Sequence, residues 1–140
     1  MCRNKVLSVL LALLALSSMS WATDTVSFTG IWKNQRGSVL KLIPDGANEF
    51  KGTFTTAVGK TKTCINHPVP LRAAVNGNAI ALSLTMEPCG SPVVIAMTGA
   101  LRKEDGKEQL VMQGTTQYSG EDHWGSRIQT ADFYQRFTEE

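Results

Sequence analysis

The sequence predicts an all-β fold, an eight-stranded antiparallel up-and-down β-barrel. After residue 28 there is almost no helical periodicity, and short β-branched runs alternate apolar and polar residues as half-buried strands do. Turn dipeptides separate several of these runs, with Asp-Gly at 45–46 and 105–106 and Asn-Gly at 76–77. Such dipeptides supply the positive φ angles of two-residue hairpin turns. Eight short strands joined by hairpins favour a closed barrel, because closure removes the exposed sheet edges.

Residues 1–22 are predicted to be a secretory signal peptide that precedes the barrel domain, residues 23–140. A short basic segment, "MCRNK", leads into the apolar run "VLSVLLALLAL", which is too short to span a bilayer comfortably. The small residues Ser20 and Ala22 then flank Trp21 as a cleavage site requires. We therefore expect cleavage after Ala22 and a secreted protein, extracellular or periplasmic. An uncleaved anchor is the alternative.

The strands of the barrel domain are expected to follow one another with short connections. The third strand shows the period of two most clearly, since Phe50, Phe54 and Thr56 share one face while Lys51 and Thr53 share the other. An eight-stranded barrel is wide enough to hold one small ligand. The predicted strands are 28–34, 38–43, 49–58, 69–75, 79–86, 92–101, 108–117 and 124–136.

Cleavage of the signal peptide would remove Cys2 and leave Cys64 and Cys89. A pair of cysteines in an exported protein predicts a disulfide. The bond would close a loop of roughly 25 residues, which contributes on the order of 3 kcal/mol in the chain-entropy model. Two buried free thiols are the alternative. A structural zinc site with the nearby His67 is less favoured, because no second ligand pair stands at metal spacing.

Charge and motif content exclude several classes of function. The formal net charge is +2, and no basic run exceeds the "GKTKT" loop at 59–63, so the electrostatic signature of a nucleic-acid-binding protein is absent. The sequence has no nucleophile–base motif, no glycine-rich phosphate loop and no cluster of residues at metal-ligand spacing. We therefore expect a protein that is not an enzyme and that holds neither cofactor nor metal.

Three segments carry a resemblance to a known family. "TGIWKNQRGSVLKL", "GTFTTAVG" at 52–59 and "WGSRIQTADFYQRF" at 124–137 resemble motifs of the avidin–streptavidin family of biotin-binding proteins, in the family's order and spacing. Between them, "TCINHPVPLRAAVNG" is similar to the loop and fourth strand of short bacterial avidins, which carry a disulfide at the matching place. The resemblance implies an eight-stranded barrel that binds biotin at one open end.

The resemblance also implies roles for individual polar residues. Asn34 and Ser38 match the pair that hydrogen-bonds the ureido oxygen of biotin, and Asp132 matches the acceptor for a ureido nitrogen. Thr56 matches a hydroxyl near the ligand, and Val58 matches a loop residue that lines the pocket. The chemistry is consistent with these roles, because a urea needs donors for its oxygen and acceptors for its N–H groups.

The same resemblance predicts an oligomer and an altered pocket. Trp124 matches the tryptophan that a neighbouring subunit places over the ligand, which implies a homo-oligomer, dimer or tetramer. Phe54 stands where the family usually has a tyrosine, so one hydroxyl donor is lost. Met86, Met97 and Gly114 stand where the family has pocket tryptophans, and Val93 and Ile95 stand where it has small hydroxyl residues. We therefore expect weakened or altered ligand affinity.

Rival interpretations remain open at each polar residue. Asn34 and Ser38 are also suited to capping the first hairpin turn. Asp132 could form a structural ion pair with Arg127 or Arg136 on its own strand. The alternative function is a barrel of this fold that has lost biotin binding and takes another small ligand or acts as an interaction module. A lipocalin-like carrier is a more distant alternative.

Overall fold

A computed structural model of the chain describes residues 27–59, 62–87, 92–119 and 126–139. Each strand pairs antiparallel with its neighbour in sequence, and the first strand pairs with the last, which closes the barrel. The predicted eight-stranded antiparallel up-and-down β-barrel is therefore confirmed. The strands are β1 (Gly30–Asn34), β2 (Val39–Pro44), β3 (Glu49–Thr55), β4 (Pro68–Asn76), β5 (Ala79–Thr85), β6 (Val93–Glu104), β7 (Lys107–Tyr118) and β8 (Arg127–Arg136).

The predicted signal peptide, residues 1–22, lies outside the described part of the chain, and its cleavage stays a prediction. Among the described residues, no helix is long and apolar enough to cross a membrane. A short 3-10 turn, Lys62–Cys64, lies in the connection between β3 and β4.

The connections between strands gather at two ends of the barrel. One end, called here the turn end, carries residues 45–48, 77–78 and 105–106. The other, called here the loop end, carries the connections that follow β1, β3, β5 and β7. Because the strands alternate in direction, residues early in β1 lie at the turn end and residues early in β8 lie at the loop end.

The tight turns match the prediction in one case and differ in two. At 105–106 both residues have positive φ, 51° for Asp105 and 75° for Gly106, as a two-residue hairpin of this composition requires. At the turn between β4 and β5, Asn76 still belongs to β4, and Gly77, with φ of 60°, is the first residue of the loop. A glycine at the first loop position suits a type II′ turn, so this loop is shifted by one residue.

The connection at 45–48 is longer than the two-residue turn that the sequence predicts. β2 ends at Pro44 and β3 begins at Glu49. The Asp45 carboxylate in this connection accepts from Lys51 Nζ at 3.0 Å and from Arg72 Nη1 at 2.5 Å. The hydrogen bond from Lys51 is the largest cause, and together the two contacts hold the pKa of the Asp45 carboxyl below its usual range. The side chain thus ties the connection to β3 and β4.

β3 also ends earlier than predicted, at Thr55 rather than at 58. The Thr56 hydroxyl donates to the Val58 carbonyl at 2.7 Å and accepts from the Val58 N–H at 3.3 Å. This local hydrogen bonding offers the backbone an alternative to the sheet ladder, so the strand stops there.

The centre of the barrel is filled by apolar side chains. Trp32 is fully buried, and its Nε1–H donates to the Phe28 carbonyl at 2.9 Å. Phe28 packs edge to face on Phe50, with ring centroids 6.1 Å apart. These contacts close the turn end and leave interior space at the loop end. The other large side chains that are fully buried include Leu40, Leu42, Leu110, Met112 and Tyr134.

Candidate ligand-binding site at the loop end

A cavity of about 480 Å³ opens inside the barrel at the loop end. This volume falls in the range of roughly 300–1,000 Å³ that is typical of small-molecule pockets. Polar side chains come from β7, β8 and the connections that follow β1 and β3, and apolar side chains come mainly from β3, β6 and the connection after β5. The lining residues are Arg36, Ser38, Phe54, Thr56, Val58, Gly59, Cys64, Met86, Val93, Ile95, Met97, Thr116, Tyr118, Ile128, Thr130 and Asp132.

Asn34 lies at the end of β1, beside the cavity rather than in its wall. Its Oδ1 accepts from the backbone N–H of Ser38 at 2.8 Å and from that of Arg36 at 3.1 Å. The capping interpretation is therefore correct for the oxygen of this amide. The nitrogen differs, because Asn34 Nδ2 is buried and makes no hydrogen bond to any described residue. An unpartnered buried donor costs about 1–3 kcal/mol, so a ligand acceptor would relieve it.

Ser38 and Thr56 place two hydroxyls in the cavity wall. Ser38 is buried, and its Oγ accepts from the Ala57 N–H at 3.0 Å, which leaves its O–H available as a donor. Thr56 uses its O–H on the Val58 carbonyl at 2.7 Å. Ser38 is therefore the better donor for a ligand, while Thr56 shapes the connection that carries Val58.

Asp132 is the most deeply buried charged residue of the site, with 2% of its surface exposed. Its Oδ1 accepts from Arg36 Nη2 in a short ion pair and from Gln35 Nε2 at 3.3 Å. The proposed pairing with Arg127 or Arg136 is wrong. Arg136 shares the face of β8 that carries Asp132, but it lies at the turn end and contacts Glu108. Arg127 lies on the opposite face and donates to Gln117 at 3.1 Å.

Gln35 joins the β1–β2 turn to β8 through its side-chain amide. Its Oε1 accepts from the Phe133 N–H at 2.9 Å, and its Nε2 donates to the Ala131 carbonyl at 3.2 Å. The amide thus continues the β1–β8 ladder beyond its last pair, Asn34 with Tyr134. Gln35 and Arg36 were not predicted as site residues, although their polar side chains, placed between the predicted site residues Asn34 and Ser38, were an available signal.

Tyr134 is a third residue of this region that was not predicted from the sequence. It is fully buried below Asp132 on the same face of β8, and its hydroxyl lies 4.0 Å from Met97 Sδ. Burial, followed by the negative charge of Asp132, raises the pKa of the Tyr134 hydroxyl, while the nearby Asn34 amide and Arg36 charge act in the opposite direction. The hydroxyl therefore stays protonated and able to donate. Its even spacing from Asp132 was the available signal.

The opposite wall of the cavity is apolar. Phe54, Met86 and Met97 are buried there, at 5%, 5% and 4% exposure, together with Val93 and Ile95. Val58 is half exposed at the rim. Methionine side chains fill irregular apolar space but hold it less rigidly than aromatic rings do. The wall can therefore bury an apolar ligand body without fixing its orientation strongly.

Gly114 does not leave the gap in the wall that its assignment to a missing tryptophan implied. A Cβ added there would stand 2.9 Å from Thr130 Oγ1 and 3.3 Å from Met97 Cγ. The space is already filled by these two side chains. Gly114 is accordingly a point of close packing between β6, β7 and β8, and that interpretation of it is corrected.

Two predicted features depend on residues outside the described ranges. Cys64 is buried in the cavity wall, but Cys89 lies outside the described residues, so the Cys64–Cys89 disulfide stays a prediction. Trp124 also lies outside them, and its intersubunit role is likewise untested. Within the described residues, no group of histidine, cysteine or carboxylate side chains could hold a metal ion.

The geometry defines a class of protein: a small closed barrel with a cavity at one end, lined by polar and apolar side chains. The sequence model of the Avidin family matches residues 22–137, which is most of the chain. This chain therefore belongs to the Avidin family. A search of curated proteins found no match.

Several solved structures share this barrel fold. The rhizavidin–biotin complex superposes with a TM-score of 0.68 at 24% identity, covering 81% of this chain and 95% of rhizavidin. The biotin-binding protein from chicken gives 0.71 at 23% identity, covering 83% and 100%. Xenavidin gives 0.71 at 22% identity, covering 81% and 99%. At these identities the likeness shows the shared barrel fold.

Proposed function

We propose that this chain is a non-catalytic biotin-binding protein that takes the ureido head at the polar side of the cavity. The observation that carries the proposal is the buried, unpartnered Asn34 Nδ2 beside Ser38 and the cavity. Family membership supports biotin as the ligand. The rhizavidin–biotin complex shows a barrel of this fold with that ligand.

The proposed contacts divide between ureido oxygen and ureido nitrogen. Asn34 Nδ2 and the Ser38 hydroxyl donate to the oxygen, and Asp132 accepts from an N–H. The ionised carboxylate gives a charge-assisted hydrogen bond, which is about twice as strong as a neutral one. Tyr134 supports this set, because its protonated hydroxyl lies near Asn34 and adds a polar group where Phe54 has none.

The apolar wall supports weaker binding than an aromatic pocket gives. The ring and chain of the ligand would lie against Met86, Met97, Val93 and Ile95 rather than against indole rings. Replacing tryptophan by alanine costs about 3–5 kcal/mol in a well-packed core, and methionine at two such positions restores only part of the lost contact. Each 1.4 kcal/mol is about tenfold in affinity. We therefore propose an affinity several powers of ten below that of a pocket with intact tryptophans.

We further propose that the protein is secreted after cleavage at Ala22, that Cys64 pairs with Cys89, and that the barrels form a homo-oligomer. Each of these rests on the sequence, through the apolar N-terminal run, the cysteine pair and the match of Trp124 to an intersubunit residue. An alternative is a barrel that prefers another small ligand. The observation that favours it is the ion pair of Arg36 with Asp132, which already occupies the acceptor that biotin would use.

Titration calorimetry with biotin tests the proposal on protein exported from cells that express the full chain, after exhaustive removal of endogenous biotin. We expect saturable binding that Asp132→Ala weakens by about ten- to a hundredfold, as loss of a buried hydrogen-bonding group implies. Asp45→Ala, which removes a carboxylate at the turn end, is the matched control and is expected to bind like the unaltered protein. Absence of biotin binding by folded protein would reject the proposal.

A further inference from the structure

The ion pair between Arg36 and Asp132 is placed inside the candidate site. Asp132 has a side chain that is 3% exposed, and that of Arg36 is 38% exposed. Both residues line the cavity. The guanidinium therefore lies at the cavity surface while the carboxylate it contacts is withdrawn from solvent.

The turn that carries Arg36 is held firmly against β8. Asn34 Oδ1 accepts from the Arg36 backbone N–H at 3.1 Å, and Gln35 bonds the backbone of Ala131 and Phe133 on either side of Asp132. Arg36 consequently meets Asp132 through a fixed backbone. Such an arrangement differs from an ordinary exposed ion pair, whose two long side chains must give up much of their freedom to meet.

A ligand N–H has to compete with this guanidinium for the carboxylate. In the existing hydrogen bond both the donor and the acceptor are charged, whereas a urea N–H is a neutral donor. The hydrogen bond that the ligand would form to Asp132 is therefore weaker than the one with Arg36 that it would replace. Displacing the guanidinium would also leave a cation at the cavity wall. By contrast, a ligand oxygen can accept from Arg36, Ser38 or Asn34 Nδ2 without disturbing the pair.

We propose that Arg36 is a built-in competitor for Asp132 and sets the ligand specificity of the cavity. It lowers affinity for head groups that must donate N–H to the carboxylate, and it favours head groups that only accept hydrogen bonds. This inference rests on the proposed function, because it concerns the same carboxylate.

Biotin titration of Arg36 variants tests the inference. Arg36→Ala frees Asp132 and is expected to bind biotin at least tenfold more tightly than the unaltered protein. Arg36→Lys keeps a cation beside the carboxylate and is expected to stay within a few-fold of it. Arg72→Ala is the matched control, since it removes an arginine that pairs with Asp45 on the outer surface. Circular dichroism melts establish that each variant is folded.

The outcomes separate this inference from the proposed function. Biotin binding by the unaltered protein, with equal or weaker binding by Arg36→Ala, would overturn the inference alone. Binding by Arg36→Ala alone would support the inference and reject the unaltered chain as a biotin binder. No binding by either would reject both. If Arg36→Ala does not fold, Arg36→Gln, which keeps a neutral donor for Asp132, replaces it and is expected to bind several-fold more tightly.

Discussion

The two ends of the barrel differ in whether a key polar side chain has all its hydrogen-bond partners, Arg136 at the turn end and Asn34 at the loop end. At the turn end Arg136 contacts Glu108 through Nε, the Thr29 carbonyl through Nη1 at 2.8 Å and the Ser27 carbonyl through Nη2 at 2.7 Å. At the loop end Asn34 Nδ2 is buried without a partner. A satisfied group stabilises the fold, whereas an unsatisfied one is available to a ligand. The proposed ligand site thus lies at the end of the barrel that has the unsatisfied donor, and the satisfied contacts of Arg136 lie at the other end.

The aromatic core toward the turn end shows the same contrast in packing. Trp32 is fully buried, bonded to the Phe28 carbonyl, and lies 4.3 Å under the Arg136 guanidinium. The loop end instead has a cavity of about 480 Å³ lined partly by methionine. Interiors are normally packed as closely as organic crystals. Open space inside the barrel therefore distinguishes the loop end from the closely packed turn end, and it lies where we propose that the ligand binds.

The largest expected effect comes from removing Trp32. Trp32→Ala should lower the free energy of unfolding by about 3–5 kcal/mol, since it leaves a large cavity and a buried Phe28 carbonyl without its donor. Urea denaturation measures this loss. A change below about 1 kcal/mol would contradict the assignment of stability to the turn end, because surface substitutions already span that range.

The second effect concerns the arginine that joins β8 to the N-terminal end of the described chain. Arg136→Met should lower the free energy of unfolding by about 1–3 kcal/mol, because two backbone carbonyls lose a charged donor while apolar cover of Trp32 is retained. Biotin affinity should stay within a few-fold, since the substitution is remote from the cavity. Calorimetric titration and urea denaturation on the same samples measure both quantities. A loss of biotin affinity with an unchanged free energy of unfolding would contradict the proposal that the turn end serves stability and the loop end serves binding.

The strands could be predicted from the sequence because the period of two is a local property. Alternation around Phe54 and Asp132 decides which side chains face inward, whatever the partner strand. The ion pair of Asp132 could not be predicted in the same way, because Arg36 is 96 residues away and its direction depends on the geometry of a turn. The proposed rivals, Arg127 and Arg136, shared the strand of Asp132, but their side chains do not reach it.

Two other residues show what local patterns omit. The sequence offers two roles for Asn34, a turn cap or a ligand contact. In the structure the amide oxygen Oδ1 caps the turn, while the amide nitrogen Nδ2 makes no hydrogen bond to a described residue. Gly114 stands at the position of a pocket tryptophan by the resemblance, but the space that its missing side chain leaves is taken by Met97 and Thr130. Packing of this kind involves three strands, so it cannot be predicted from the sequence of any one of them.

The third prediction concerns Asn34 at the loop end, whose removal should affect biotin affinity more than stability. Asn34→Ala removes a turn cap but also removes an unsatisfied donor, so the free energy of unfolding should fall by about 1 kcal/mol or less. Biotin affinity should fall by tenfold or more. Asn78→Ala is the control, because Asn78 Nδ2 donates to the Leu101 carbonyl at 3.3 Å in a turn-end hairpin. Unchanged biotin affinity in Asn34→Ala would remove Asn34 from the site.

The smallest expected effect is the acid sensitivity of the turn end. Arg136 beside Glu108 holds the pKa of that carboxyl below its ordinary value of 4.5. A carboxyl whose pKa is lower in the folded state stabilises the fold above the unfolded pKa and loses that contribution as pH falls through the folded pKa. The contribution should therefore be present at pH 6 and decline below about pH 4.5. Because the Glu108 side chain is about one third exposed (34%), solvent screens the pair, and the contribution should amount to less than about 1 kcal/mol.

Glu108→Gln tests this effect through urea denaturation at a series of pH values. The variant should be slightly less stable than the unaltered protein at pH 6, and the difference should shrink as pH falls below 4.5, because the unaltered protein loses the ionised carboxylate there. Glu104→Gln removes a carboxylate from the same β6–β7 hairpin without touching Arg136 and should leave the profile nearly unchanged. A gap between the Glu108→Gln and unaltered curves that widens toward acid would show that the ion pair does not stabilise the turn end through its charge. The three backbone and ring contacts of Arg136 would then account for its whole contribution, and the two ends would differ in hydrogen bonding and packing alone.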